Sequence, residues 1–192
     1  MTLLLLGLVL FLGVHSTRIV ADDWRSGVIA RLGAGPWKAV YSLLSVAGFV
    51  MIVIGYGAAR EAPLVLYVPP AWARHLAALL TLPAFVLLVA AYVPGNALKR
   101  AVGHPMVAGV KLWAFAHLMA NGALADVVLF GGFLLWAVAS FVAARRRDRT
   151  AGTVYPAGGG GRTALTVVAG VLAWALFAFA LHRPLIGVGP FG

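Results

Sequence analysis

The chain has 192 residues, of which 62% are hydrophobic and only 10% charged, with a formal net charge of +10 and no cysteine. Its mean hydropathy is +0.98. Soluble chains average about 45–50% apolar and about 25% charged, so this chain cannot cover itself with polar surface. A soluble enzyme and a soluble nucleic-acid binder are excluded. Without Cys there are no disulfides, thiolate metal sites, iron–sulfur clusters or covalent C-x-x-C-H haem attachments. Any cofactor is left to nitrogen and oxygen ligands, and five His are present.

The pattern predicts an all-α membrane protein, one domain over residues 1–192, built as a bundle of six transmembrane helices. A hydrocarbon core of about 30 Å takes about 20 apolar residues. In chain order the segments cover about 2–18, 39–59, 72–93, 104–120, 123–144 and 164–183. The first lacks a basic leader, and Val14-His15-Ser16 is a poor cleavage site, so it reads as a span. Residues 62–70 are apolar but too short to cross, and read as an interfacial or re-entrant stretch. Pro83 falls inside the third span and should kink it. Pro105 suits the first turn of the fourth. Asn121-Gly122 reads as a tight helical-hairpin turn with left-handed backbone. Gly48, Gly55, Gly57 and Gly131-Gly132 permit close helix approach. The stretch from Arg145 to Thr163, with its run Gly158 to Gly161, reads as a flexible loop, and Pro184 as the end of the sixth span.

Charge sets the orientation. Eleven of the fifteen Lys and Arg fall in the loops after spans one, three and five, and three (Arg60, Arg74, Arg183) fall on the other side. Lys and Arg are retained in the cytoplasm, so both termini are expected on the non-cytoplasmic side.

Ionisable groups inside a bilayer are functional candidates. These are His15 in span one, His104, Lys111 and His117 in span four, and Asp126 in span five. His75 and His182 sit at span ends. Each has a plainer reading. Lys111 snorkels to the cytoplasmic face, a lone His hydrogen-bonds within the bundle, and Asp126 pairs with Arg74, His75, His117 or Arg183. Counted along untilted helices, His15 lies about 21 Å from Met1 and His117 about 20 Å from His104. Both reach mid-depth if the helices start at the headgroups of a bilayer about 40–45 Å thick. Two imidazoles at one depth suit a bis-imidazole haem, facing one another across spans one and four. Trp113, one turn from His117, is either a wall for such a ring or plain core.

Span four carries a resemblance. His104-Pro105, Lys111-Leu112-Trp113-Ala114, His117-Leu118, Asn121-Gly122 and Leu129-Phe130-Gly131-Gly132-Phe133-Leu134 with Trp136 resemble the NnrU family. Gly13-Val14-His15-Ser16 resembles its N-terminal signature. The resemblance covers essentially the whole chain. It implies a multi-pass protein of the bacterial inner membrane, linked to nitrite and nitric oxide metabolism in denitrification. The family includes zeta-carotene isomerase, a haem b enzyme acting on a polyene double bond. By resemblance, non-covalent haem b would be bound by His15, His104 or His117, with His15 and His117 the axial pair. Trp113 would lie beside the ring, and Lys111 and Arg18 near its propionates. Implied partners are the lipid bilayer and an apolar polyene or nitrogen-oxide pathway proteins, with no nucleic acid. One further isomerase His, between spans one and three, has no match: that stretch holds Tyr41 and Tyr56 instead.

Overall fold

A computed structural model describes residues 1–191. Among the described residues nine α-helices form: α1 Thr2–Val20, α2 Asp22–Leu32, α3 Ala34–Ala59, α4 Trp72–Tyr92, α5 Ala97–Val102, α6 Pro105–Ala120, α7 Leu124–Ala151, α8 Gly160–Leu176 and α9 His182–Ile186. A π-helical turn, Phe177–Leu181, joins α8 to α9. Among the described residues the only β-like contact is a single bridge between Val65 and Ala123. Among the described residues five helical stretches are long and apolar enough to cross a membrane: α1, α3, α4, α7 and the run from α8 through α9. α6 is apolar but has 16 residues, which is about 24 Å of helix against a core of about 30 Å.

The helices pack in a row: α3, α1, α7, α6, α4, α8, each mainly against its neighbours in that order. Backbones touch where glycine removes the side chain. A Cβ on Gly55 would lie 2.3 Å from the Leu4 amide, and one on Gly48 would lie 2.8 Å from that of Phe11. Gly57 and Gly131 meet nothing within 4 Å, so they are not packing glycines. Leu4, Leu8, Ile52, Leu129 and Phe130 form the apolar core between α1, α3 and α7, with Trp113 of α6 packed on it.

The loops gather at two ends. Leu66 and Leu124 amides donate to the Gly122 and Leu64 carbonyls, each at 2.8 Å, so the stretch at 62–70 lies across the α6–α7 turn. At the opposite end the Arg147 guanidinium donates to the Arg18 carbonyl at 2.8 Å, and the Gly159 amide to the Gly95 carbonyl at 2.9 Å.

Several expectations change. α2 was read as loop; Asp22 and Asp23 in its first turn and Arg31 in its last complement the helix dipole and offset its low apolarity. α5 likewise forms, because Asn96 caps it: its carbonyl oxygen accepts the Lys99 amide at 2.8 Å. Buried Asn96 also donates to the Ala90 carbonyl at 2.9 Å, which ties off the end of α4. Arg145 to Thr163 is no long flexible loop. α7 continues to Ala151 and α8 begins at Gly160, since Arg favours helix and Gly158 lets the chain press on Ala97. Pro184 does not end the last helix; after the π turn it falls in the first turn of α9, where its missing amide is not needed. The α6–α7 turn is extended rather than left-handed, with Asn121 at φ −134°. Glycine is required at 122 because a Cβ there would meet the Tyr67 carbonyl oxygen.

Candidate functional site

α6 carries a histidine at each end, and their surroundings differ in kind. His117 lies in its last turn. Its Nδ1–H donates to the Trp113 carbonyl one turn back at 2.9 Å. The ring stacks on Phe130 at 4.7 Å and meets Trp113 at 5.1 Å. His15 on α1 repeats the pattern: Nδ1–H donates to the Phe11 carbonyl at 2.7 Å, and the ring stacks on Phe11 at 4.2 Å. Tyr41 and Trp136 complete its surroundings at 5.2 and 6.0 Å. With Nδ1 committed to a carbonyl, each imidazole keeps Nε2 for a ligand, the tautomer that a metal-binding His needs. The indole nitrogen of Trp136 beside His15 is buried without a hydrogen-bond partner.

The two imidazoles do not face one another across an α1–α6 interface. α1 packs on α3 and α7, and α6 packs on α4 and α7, so α7 stands between them. Rings of Phe11, Phe133 and Trp113 occupy the path, in contact at 5.8 and 5.6 Å. Depth can be read along α7. His117 meets Phe130 and His15 meets Trp136. Six residues apart on a helix is about 9 Å. The equal-depth expectation counted from the ends of two different segments, which do not begin at matched levels. Each imidazole therefore presents its Nε2 separately from the other. The pair does not flank one macrocycle as arranged, since that needs ring nitrogens about 4 Å apart.

Asp126, buried near the N-terminus of α7, has a partner, but not a cation or His. The Tyr56 hydroxyl donates to one carboxyl oxygen at 2.5 Å, and the Ala123 amide donates to the other at 3.0 Å. The Arg60 guanidinium lies 5.6 Å from the Tyr56 ring centre. A phenol on α3 satisfies the acid without burying a second charge, which is the cheaper arrangement in an apolar setting. Nothing in the spacing of residues 56 and 126 pointed to this pair. Nearby, the exposed Tyr67 hydroxyl donates to the Asn121 carbonyl at 2.7 Å and to that of Leu118. Partial burial, and then the Asp126 charge, pushes that hydroxyl above its ordinary pKa, so it stays a donor.

His104, the residue before α6, belongs to a separate cluster. Its Nε2 lies 2.9 Å from an Asp148 carboxyl oxygen, which also accepts the Tyr155 hydroxyl at 3.0 Å. The Arg145 guanidinium is 3.7 Å away. This cluster lies beyond the apolar part of α7, where Arg145 to Arg149 begin. Burial works against the Asp148 charge; hydrogen bonds from Tyr155 and His104, with the charges of His104 and Arg145, outweigh it and hold the carboxyl below its ordinary range. Gly103, at φ +77°, fits where a Cβ would lie 2.9 Å from Arg145 and 3.1 Å from the Tyr155 ring. His104 thus ties the 152–159 segment to α6, away from His15 and His117.

Lys111 places its ammonium 4.7 Å from the Phe141 ring centre on α7, a cation–π contact rather than a contact with either buried imidazole. Trp113 packs edge-on against Phe130 at 5.2 Å and Phe133 at 5.6 Å. His182 binds the Val188 carbonyl through Nδ1 at 2.7 Å. No group of three or more His, Asp or Glu suited to holding a metal ion occurs among the described residues.

The family model described as NnrU protein matches residues 3–190. No curated protein and no solved structure matches the chain.

Proposed function

The chain belongs to the NnrU family, and on that premise we propose that it is a six-span protein of a bacterial inner membrane that binds haem b and serves nitrite and nitric oxide metabolism. The observation that carries the haem reading is the state of the two intramembrane imidazoles. Both spend Nδ1 on a backbone carbonyl one turn away, at 2.7 and 2.9 Å, and leave Nε2 unused. His117 is the residue that would hold the group, with Trp113 and Phe130 beside it. When bound, the group supplies an iron able to exchange electrons or to take a small diatomic ligand. The chain's own part is to fix the imidazole tautomer and exclude water with the Phe130–Trp113–Phe133 cluster.

Protein purified in detergent from haem-replete cells should show a Soret band, abolished by His117→Ala and kept by His182→Ala. A single axial imidazole gives a high-spin spectrum. A low-spin spectrum that needs both His15 and His117 would mean that the intervening rings move aside and the pair closes on one iron. The competing reading, a bundle whose histidines only pack, draws on the same carbonyl bonds and on the filled space between the rings. A colourless protein would select it. Polyene isomerisation by the purified protein would instead select the isomerase-like activity.

Orientation rests on the eleven-to-three division of Lys and Arg and on the loops meeting at two ends. A reporter active only in the cytoplasm should work when fused after Arg149 and fail after Gly192. Activity at the C-terminal fusion would contradict six crossings.

A further inference from the structure

α1 and α7 run side by side in the same direction, and the groove between them has two chemically different halves. The longer half is apolar. Leu12, Gly13 and Ser16 line it from α1, and Leu135, Trp136 and Ala139 from α7. It continues, through the shared Ile19 and Ala139, into a basic half lined by Arg18, Arg146 and Arg147 with Asp22 as the one acid. Both halves are shallow and open at the side, with volumes of about 460 and 480 Å³. Their walls are open to lipid: Val9 is 73% exposed and Leu135 is 75% exposed.

Length and charge identify what fits. From Leu135 to Arg147 is twelve residues of helix, about 18 Å, close to one leaflet of a hydrocarbon core about 30 Å thick. Three guanidiniums against one carboxylate leave the basic half short of negative charge. Asp22 is itself shared, 3.8 Å from both Arg18 and Arg25. Arg147 is pinned by its bond to the Arg18 carbonyl, which fixes a fork whose remaining N–H groups suit phosphate oxygens. Arg146 has no carboxylate within 4.0 Å among the described residues. On the floor, Gly13 has nothing within 4 Å of where its Cβ would be, so a chain can lie flat against α1.

We infer that the α1–α7 groove is a binding site for an anionic phospholipid, its phosphate on Arg18, Arg146 and Arg147 and one acyl chain along Gly13 and Trp136. The site is separate from the His117 surroundings and does not rest on the haem reading. It holds a lipid of defined charge at the joint that brings α1, with His15, against α7.

The test is native mass spectrometry of the full chain in detergent, with phosphatidylglycerol and phosphatidylcholine competing at equal concentration. Wild type should retain one phosphatidylglycerol with a preference of about tenfold or more, the effect of two or three surface arginines on an anionic headgroup. R18Q/R146Q should lose the preference, whereas R74Q/R183Q at the other end should keep it. Gly13→Trp, which fills the groove floor without meeting another group, should lose both lipids. Equal retention of the two lipids by wild type would overturn the site, and that result needs no variant to fold. So would an undiminished preference in R18Q/R146Q, or displacement of the lipid by soluble glycerol phosphate at matching concentration, which would mark a free-phosphate site.

Discussion

The two ends of α6 solve the same problem, how to hold a histidine at a helix terminus, in opposite ways. At the basic end, His104 reaches across to Asp148 and Tyr155, 44 and 51 residues away, and joins two chain segments through charge. At the other end, His117 turns back on its own helix and rests on aromatic rings, committing one nitrogen and keeping the other. A histidine whose Nε2 is held by a carboxylate from another segment is a fastener. One that leaves Nε2 free among aromatic rings is the proposed ligand. What surrounds them differs too: Asp148, Arg145 and Tyr155 cluster at His104, whereas Trp113 and Phe130 flank His117, next to the turn where Gly122 meets the Tyr67 carbonyl.

That contrast can be broken most strongly at the glycine end. Gly122→Ala would force a methyl group into the Tyr67 carbonyl. Overpacking against backbone should cost about 3 kcal/mol, read as a lower thermal midpoint in detergent. An unchanged midpoint would mean that residues 62–70 do not lie across the turn.

Tyr56→Phe is the next largest. It removes the hydroxyl held 2.5 Å from Asp126 and leaves a buried acceptor short of a donor, at a cost of about 1–3 kcal/mol. Tyr41→Phe, which breaks no such bond, serves as the control and should cost less. Equal losses would show that Asp126 draws nothing from the phenol.

The basic end should respond least to single changes and most to acid. Asp148 is held below its ordinary range by Tyr155, His104 and Arg145. A depressed carboxyl contributes stability that is fully present above its unfolded value, about 3.9, and is lost as pH falls through the lower folded value. The amides of Gly152, Thr153 and Gly159 should therefore keep their protection, measured relative to the unprotected chain, at neutral pH and lose it only below about pH 4. Tyr155→Phe should raise their exchange at every pH by a factor of about 2–10, the loss of one hydrogen bond of about 0.5–1.5 kcal/mol. Loss of that protection near pH 6 instead would assign the fastening to something other than Asp148.

Much of the fold was legible because apolar runs of about 20 residues leave few choices in a bilayer. Five of the six segments appear as helices long enough to cross, α1, α3, α4, α7 and the run from α8 to α9, and the other as the shorter apolar α6. α2 and α5 were not legible from apolarity, since capping and dipole effects make them rather than a lipid-facing stripe; Asp22, Asp23 and Asn96 were the available signals. The glycine at 122 was legible as a necessity but for the wrong reason, because close approach by Tyr67 depends on a segment 55 residues earlier. Asp126 was legible as a residue in need of a partner, whereas Tyr56 carries no charge to advertise itself. His15 and His117 were legible as intramembrane imidazoles. Their relative depth was not, because it is set by packing on α7 and not by distance from a terminus.

The central claim, that the two ends of α6 differ in ligand capacity, meets its most direct test in one comparison. Oxidised and reduced absorption spectra of wild type, His104→Ala and His117→Ala, purified from haem-replete cells, should show a Soret band in the first two and none in the third. A colourless wild type, or a band that survives His117→Ala and disappears with His104→Ala, would contradict the account.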